Sequence, residues 1–273
     1  MRTYAQREMT LSEAINTHWP PRLEQTLEFQ FADRFDVITA SGRREFARSV
    51  TVVGSYTEAA TALFKRQVIS FGIFFQPLGL SRLFHIPPSE FSNRAFDACD
   101  VLPRGIQDLY DQLASCTSFI VRVGVVEMFL RGFARRLTHP DNQIGRCAAA
   151  RIFEANGAVR MSELAADCGI SLRQLERRIR SAVGIAPKTY ARIARFQTAL
   201  DAKLLTPGRS WLSIAHGLGY HDQMHMVHDF GEFTGETPTK TLSQLRAVFS
   251  GRLLTGRWTE TSETDDGGPR VFF

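Results

Sequence analysis

The chain has 273 residues, 44% of them hydrophobic and 22% charged, with a formal net charge of +5 and a pI near 9.3. At roughly 100–200 residues per domain this length suggests two domains, with enough apolar residues for more than one core. The basic balance favours an acidic partner without identifying one.

Cys99, Cys116, Cys147 and Cys168 fall at wide, irregular spacings with no CxxC pair, which reads as reduced thiols rather than a zinc-ligand pattern. No run approaches the ~18 apolar residues of a membrane helix. The opening MRTYAQREMTLSEA lacks the apolar centre of a signal peptide. A cytoplasmic protein with no membrane contact is expected.

Residues 1–22 show weak periodicity, end in Trp19-Pro20-Pro21, and are expected to form a loosely held arm. Short stretches rich in Phe, Val and Ile follow at Leu27–Phe31, Phe35–Thr39, Ser49–Val53 and Val68–Phe75. Turn signals such as Ala32-Asp33 and Ser41-Gly42 separate them, so a small β-sandwich or barrel is expected. The nearly all-apolar Val68–Phe75 suits a central strand buried on both faces.

After Pro87-Pro88 the texture becomes helical. Ile106, Leu109, Tyr110 and Leu113 carry the i, i+3, i+4, i+7 spacing of one buried helical face. Phe119–Leu137 is apolar on more than one side and needs a cover, either the β domain or a second copy of the chain, which makes a homodimer contact an expectation. His139-Pro140-Asp141-Asn142 is a helix stop. The expected fold class is therefore α+β, with residues 1–138 as a β-rich sensor or oligomerisation domain with flanking helices. Residues 139–250 form an all-α domain, and residues 251–273 a disordered tail whose terminal Val271-Phe272-Phe273 is free to dock.

The helical half carries the function. Leu164, Ala165 and Cys168 make the apolar face of a short helix, and Gly169 supplies the left-handed residue that ends it. Ser171 and Gln174 form a capping-box pair opening a second helix. Leu172, Leu175 and Ile179 are expected to face inward, with Arg173, Gln174, Arg177 and Arg178 mainly on the other side. This is the outline of a helix-turn-helix, whose second helix fits a major groove about 12 Å wide. An amphipathic hairpin with a solvated basic face would share that outline. From Ser171 to Arg195, however, seven Lys or Arg residues stand against one acid, Glu176, a strip suited to phosphate contacts.

The pattern recurs in Trp211–Phe233. Ile214-Ala215 aligns with Leu164-Ala165, Gly219 with Gly169, and the N-cap residue Asp222 with Ser171 if one residue is inserted. Between the copies, Pro187 suits a helix first turn, and Lys188–Leu205 reads as one helix with Ile193, Phe196 and Leu200 on its core side. A rigid spacer of that size could hold two recognition helices in successive major grooves, about 34 Å apart.

The residues Ala165, Gly169-Ile170-Ser171, Leu175, Arg178, Gly184, Pro187, Tyr190, Arg195, Ala199 and Leu204, followed by Ile214-Ala215, Gly219-Tyr220, Asp222, Met226, Phe230, Phe233 and Gly235-Glu236-Thr237-Pro238, resemble the AraC/XylS-type DNA-binding domain. The likeness implies a transcription regulator whose module has seven helices, the third and sixth reading duplex DNA. It implies that Ser171, Arg173, Gln174 and Arg177 enter the first groove, and Gln223, Met224, His225 and His228 the second. Arg178 flanks the first set, and Lys188, Arg192 and Arg195 would hold phosphates. The chain departs from the family at Ile179, usually aromatic, at His228, usually arginine, and at Gly231-Glu232, usually a basic pair.

The stretch Ile73–Gly79, Leu83-Phe84 and Ile86-Pro87 resembles a cupin-like sensor or oligomerisation domain of some family members, a likeness that brings no ligand with it. The partners expected of the chain are duplex DNA, RNA polymerase at the weakly basic second unit, and a small-molecule effector in the N-terminal domain. No cofactor is expected. His225 and His228 are spaced to share a metal, to contact bases or phosphates, or to be plain surface residues. His225 and Asp229 suggest a hydrolase only without its nucleophile motif, so no enzyme is expected. His18 and His85 are too few for a cupin metal site, and the phenylalanines, Phe71, Phe74 and Phe75 included, read as core. A non-specific architectural DNA binder, or a second unit that contacts a protein, are the competing functions.

Overall fold

The computed structural model describes residues 2–134, 142–246 and 270–272. Its N-terminal part contains β1 (Arg2–Thr10), β2 (Ile15–Trp19), β3 (Gln25–Gln30), β4 (Asp36–Thr39), β5 (Arg44–Phe46), β6 (Val50–Val53), β7 (Ala60–Phe64) and β8 (Gln67–Phe75). Next come α1 (Gly79–Phe84), α2 (Pro88–Phe91), β9 (Ala95–Asp97), α3 (Ala98–Val101), α4 (Ile106–Ser115) and α5 (Phe119–Ala134). The helical part contains α6 (Gln143–Glu154), α7 (Met161–Asp167), α8 (Leu172–Val183), α9 (Pro187–Leu205), α10 (Trp211–Gly217), α11 (Gln223–Thr234) and α12 (Pro238–Arg246). A last strand, β10, is Arg270–Phe272.

The strands make two antiparallel sheets, ordered β10-β1-β8-β3-β6-β9 and β2-β7-β4-β5. Residues directly opposite across a ladder share a face. Leu27 lies opposite Ile73, and Phe29 opposite Phe71. These side chains pack with Leu80, Phe91, Leu109 and Val126 of the helices into one core. The other face turns towards the smaller sheet, where Met9 and Val68 meet Phe35, Ala62 and Phe64. Val68–Phe75 is thus a central strand, flanked by β1 and β3.

Residues 1–22 correct the expectation of a loose arm. Arg2–Thr10 pairs along its whole length with β8, and Ile15–Trp19 pairs with β7. The apolar alternation that marks a strand is missing because β1 buries polar groups. Gln6 and Arg7 are both buried, and Arg7 is held by Glu28 at 3.0 Å. The far end of the tail, β10, pairs antiparallel with β1. The expected boundary at His139-Pro140-Asp141, the end of Phe119–Leu137 and tail residues 251–269 and 273 lie outside the described residues. On α5, Val126 and Leu130 are covered by the domain's own core, whereas Ile120 and Met128 stay open.

The two parts are joined through a shared interior. Leu23, fully buried, belongs to the core of the helical domain, together with Ile193 and Phe196 of α9. Gln197 of α9 accepts from the Leu23 backbone N–H at 3.2 Å and donates to the Glu24 carboxylate at 2.7 Å. Gly184, which caps α8 at φ +75°, sits so close to α2 that an added Cβ would lie 2.7 Å from the Pro88 carbonyl oxygen. Any L side chain there would meet both strain and a clash.

Burial pushes the Glu24 carboxyl up to about 7, the Gln197 hydrogen bond only partly opposing it. The folded chain therefore holds this proton up to about pH 7, while the unfolded chain releases it near the ordinary 4.5. This contribution to stability is full below the lower value and is lost as pH rises through the upper one. Glu24→Gln should flatten that decline and leave the variant more stable than the parent at pH 8, by at most roughly 3 kcal/mol at about 1.4 kcal/mol per pH unit. Denaturant titrations of both proteins at pH 5 and pH 8 measure the difference.

Candidate nucleic-acid interface

The first helix-turn-helix unit follows from three local devices. Leu164, Ala165, Leu175 and Ile179 are buried and hold α7 against α8. Gly169 turns the chain at φ +66°. Ser171 accepts from the Gln174 N–H, and the Gln174 side-chain oxygen accepts from the Ser171 N–H, closing both ends of a capping box.

The exposed side of α8 presents Arg173, Gln174, Glu176, Arg177 and Arg180. Arg178 is half-buried, and its carbonyl accepts from the Asn142 side chain at 2.7 Å where α6 crosses. Leu172 corrects the expectation that it faces inward, for it is 43% exposed at the tip of the helix. Arg180 was not singled out from the sequence, although its i+3 spacing from Arg177 places both on one face. Lys188, in the first turn of α9, is also exposed.

The second unit repeats the design with different chemistry. Ser210 caps α10, Gly219 makes the turn at φ +69°, and Asp222 caps α11 by accepting from the His225 N–H at 2.7 Å. That hydrogen bond is the main cause holding the Asp222 carboxyl below its ordinary range. Gln223, Met224, His225 and His228 are all exposed, Met224 at 69%. The α11 helix itself, QMHMVHDFGEFT, contains no Lys or Arg.

Two arginines expected on phosphates are committed inside the protein. Arg192 donates to Asp229 at 2.7 and 3.0 Å and to Glu232 at 2.9 Å, and stacks on Phe233. The Glu232 hydrogen bond is the largest reason its guanidinium is held above its ordinary pKa, and Arg192 in turn holds the Glu232 carboxyl down. Arg195 donates to the Gly157 carbonyl at 2.9 Å and lies over the Tyr220 ring. These contacts clamp the spacer α9 to α11 and to the turn after α6. The histidine that gathers with carboxylates is His228, beside Asp229 and Glu232. Because Arg192 already neutralises both carboxylates, this group does not fit a resident cation.

Residues 164–244 match the family model of a helix-turn-helix domain. This segment is an AraC-type DNA-binding domain, and the protein is a DNA-binding transcription regulator. Among solved structures the chain shares its fold with ToxT from Vibrio cholerae, at 8% identity and a TM-score of 0.52, covering 89% of this chain and 98% of that one. A second ToxT structure, bound to an unsaturated fatty acid, matches at 9% identity and 0.52, covering 90% and 96%. A third, bound to (E)-4-(8-methylnaphthalen-1-yl)but-3-enoic acid, matches at 9% and 0.50, covering 89% and 99%. No curated protein sequence matches the chain. Among the described residues no helix is long and apolar enough to cross a membrane.

Asp229 is 1% exposed, so removing its partner strands a buried carboxylate. Arg192→Ala should destabilise the protein by on the order of 3 kcal/mol. Adding Asp229→Asn should recover a large part of that loss, which chemical denaturation of the single and double variants will show.

Proposed function

We propose that the protein regulates transcription by sequence-specific binding, with α8 and α11 in successive major grooves on one face of the duplex. The observation that carries this reading is the exposed Arg173–Arg177 pair on the outer side of α8, which has no side-chain partner among the described residues, whereas Arg192 and Arg195 of α9 are held inside the protein. A guanidinium presents a rigid fork that matches the O6 and N7 acceptors of guanine. Ser171 and Gln174 lie at the helix N-terminus, where phosphate oxygens are favoured, and Lys188 extends that path. Gln223, Met224, His225 and His228 meet the second groove. The 19 residues of α9 span about 28 Å, a length compatible with the groove repeat.

Residues 1–138 then form the controlling domain and 139–250 the reader. The fold shared with ToxT, seen with organic acids bound, supports control by a small molecule. The open Ile120, Val121 and Met128 of α5 support a contact with a second copy. A second reading for α11, contact with a protein such as RNA polymerase, is favoured by the exposed Met224 and the absence of Lys and Arg from that helix.

A selection of bound sequences from random duplexes tests the main reading by returning an operator with two half-sites about one helical turn apart. On that operator Arg173→Ala should weaken binding by roughly 5- to 150-fold, the equivalent of about 1–3 kcal/mol, and do far less to random DNA. Lys188→Ala should weaken both alike and lower the salt slope by about one. Equal losses on both DNAs for Arg173→Ala would make the protein a non-specific binder.

A further inference from the structure

The two reading helices are built in one register. Each has 12 residues, starts behind a side-chain cap and ends on a left-handed glycine. Ser171 and Gly184, at φ +75°, bound α8, and Asp222 and Gly235, at φ +71°, bound α11. Each cap accepts from the backbone N–H three residues on, that of Gln174 at 3.3 Å and that of His225 at 2.7 Å. Counted from the caps, the inward residues match without a gap. Leu175 and Met226 both stand fourth, Ile179 and Phe230 both stand eighth, and all four are fully buried.

A shared register on the inner side fixes a shared register on the outer side, because both helices turn with the same repeat. The second residue after the cap is Arg173 on α8 and Met224 on α11, and both are exposed. The N-terminal residues of a recognition helix are the ones that reach base edges. One unit therefore sends a guanidinium to the place where the other sends a thioether.

Met224 is 69% exposed, whereas Met226, two positions on, fills the interior. Around it on the outer face stand the polar Gln223, His225 and His228. An apolar side chain held in water at the tip of a polar helix adds nothing to packing. In the major groove every base pair shows donors and acceptors, and the apolar group is the C5-methyl of thymine. A thioether is a weak acceptor and no donor. Opposite guanine, cytosine or adenine it would strip base-edge groups of water and leave them unpaired, which is costly. Against a methyl group the flexible, polarizable methionine side chain packs well.

We propose that Met224 selects thymine, by packing on its C5-methyl, at the step of the second half-site that corresponds to the guanine taken by Arg173 in the first. The proposal rests on the reading of α8 and α11 in successive grooves, and it makes the two halves of the operator unlike at equivalent positions.

The full chain is used to select duplexes from two random libraries, one made with thymidine and one with deoxyuridine, which lacks only the methyl group. The thymidine library should return an operator with thymine fixed at one position of the half-site that Arg173→Ala leaves untouched. The deoxyuridine library should return the same operator with that position released. Replacing that thymine by deoxyuridine should weaken binding roughly fourfold, the factor for one buried methyl group. Met224→Ala should bind both duplexes alike, whereas Arg173→Ala should keep the preference for thymine. The proposal is overturned if the parent protein binds thymine and deoxyuridine duplexes alike, or if Met224→Ala keeps the preference. The first of these comparisons needs no variant, so it decides the matter even if Met224→Ala folds poorly. An operator specified only where α8 binds overturns the proposal too, and leaves α11 to the protein contact. The absence of any operator sinks the sequence-specific reading along with it, so the two failures are told apart.

Discussion

Phe196 is fully buried in the middle of α9, with the Phe230 ring 4.6 Å and the Phe233 ring 5.3 Å from it. Aromatic pairs at such separations prefer particular tilts, so this contact fixes how far α11 stands from the spacer and how it is turned. Arg192 adds a second anchor on the same two helices through Asp229 and Glu232. Ile193 and Tyr190 of α9 share the same core with Leu175 and Ile179 of α8. Duplex DNA repeats at a fixed pitch, and a reader with two contact helices works only if their separation and relative rotation are held. The interior around α9 supplies both, which is why it uses large, fully buried side chains where a looser linker would have needed none.

The charge pattern of the two units follows from the same constraint. Glu232 looks like a loss of basic character in the second unit when only the sequence is considered. In three dimensions it is the partner of a spacer arginine, so the acid contributes to rigidity and withdraws Arg192 from the solvent. The first unit keeps its free cations on α8, where Glu176 is the lone acid. Exposed cations therefore gather on α8, while α11 presents Gln223, Met224, His225 and His228.

Much of the reader was legible because its signals are local. Gly169 and Gly219 mark the left-handed turns, Ser171 with Gln174 and Asp222 mark the helix starts, and all of them act within a few positions along the chain. The strands of Val68–Phe75 and Ser49–Val53 were visible for a similar reason, as apolar runs bounded by turns. The arginine clamps were not, since Arg192 meets residues 37 and 40 positions away. Strand β1 was hidden by its buried polar residues, whose compensation by Glu28 no pattern along the chain reveals. Leu172 was misplaced because helical spacing alone does not say where a helix leaves its neighbours and projects into solvent.

Leu23 gives the two halves of the molecule a shared piece of interior. It is supplied by the N-terminal domain, yet it completes the interior of the DNA reader beside Phe196 and Ile193. The helical domain excised from its N-terminal partner, or grafted onto a foreign one, would carry a leucine-sized void against its spacer helix. Any recombination of domains has to carry along the short segment leading into β3, which the helical domain, drawn at its visible border, would not include.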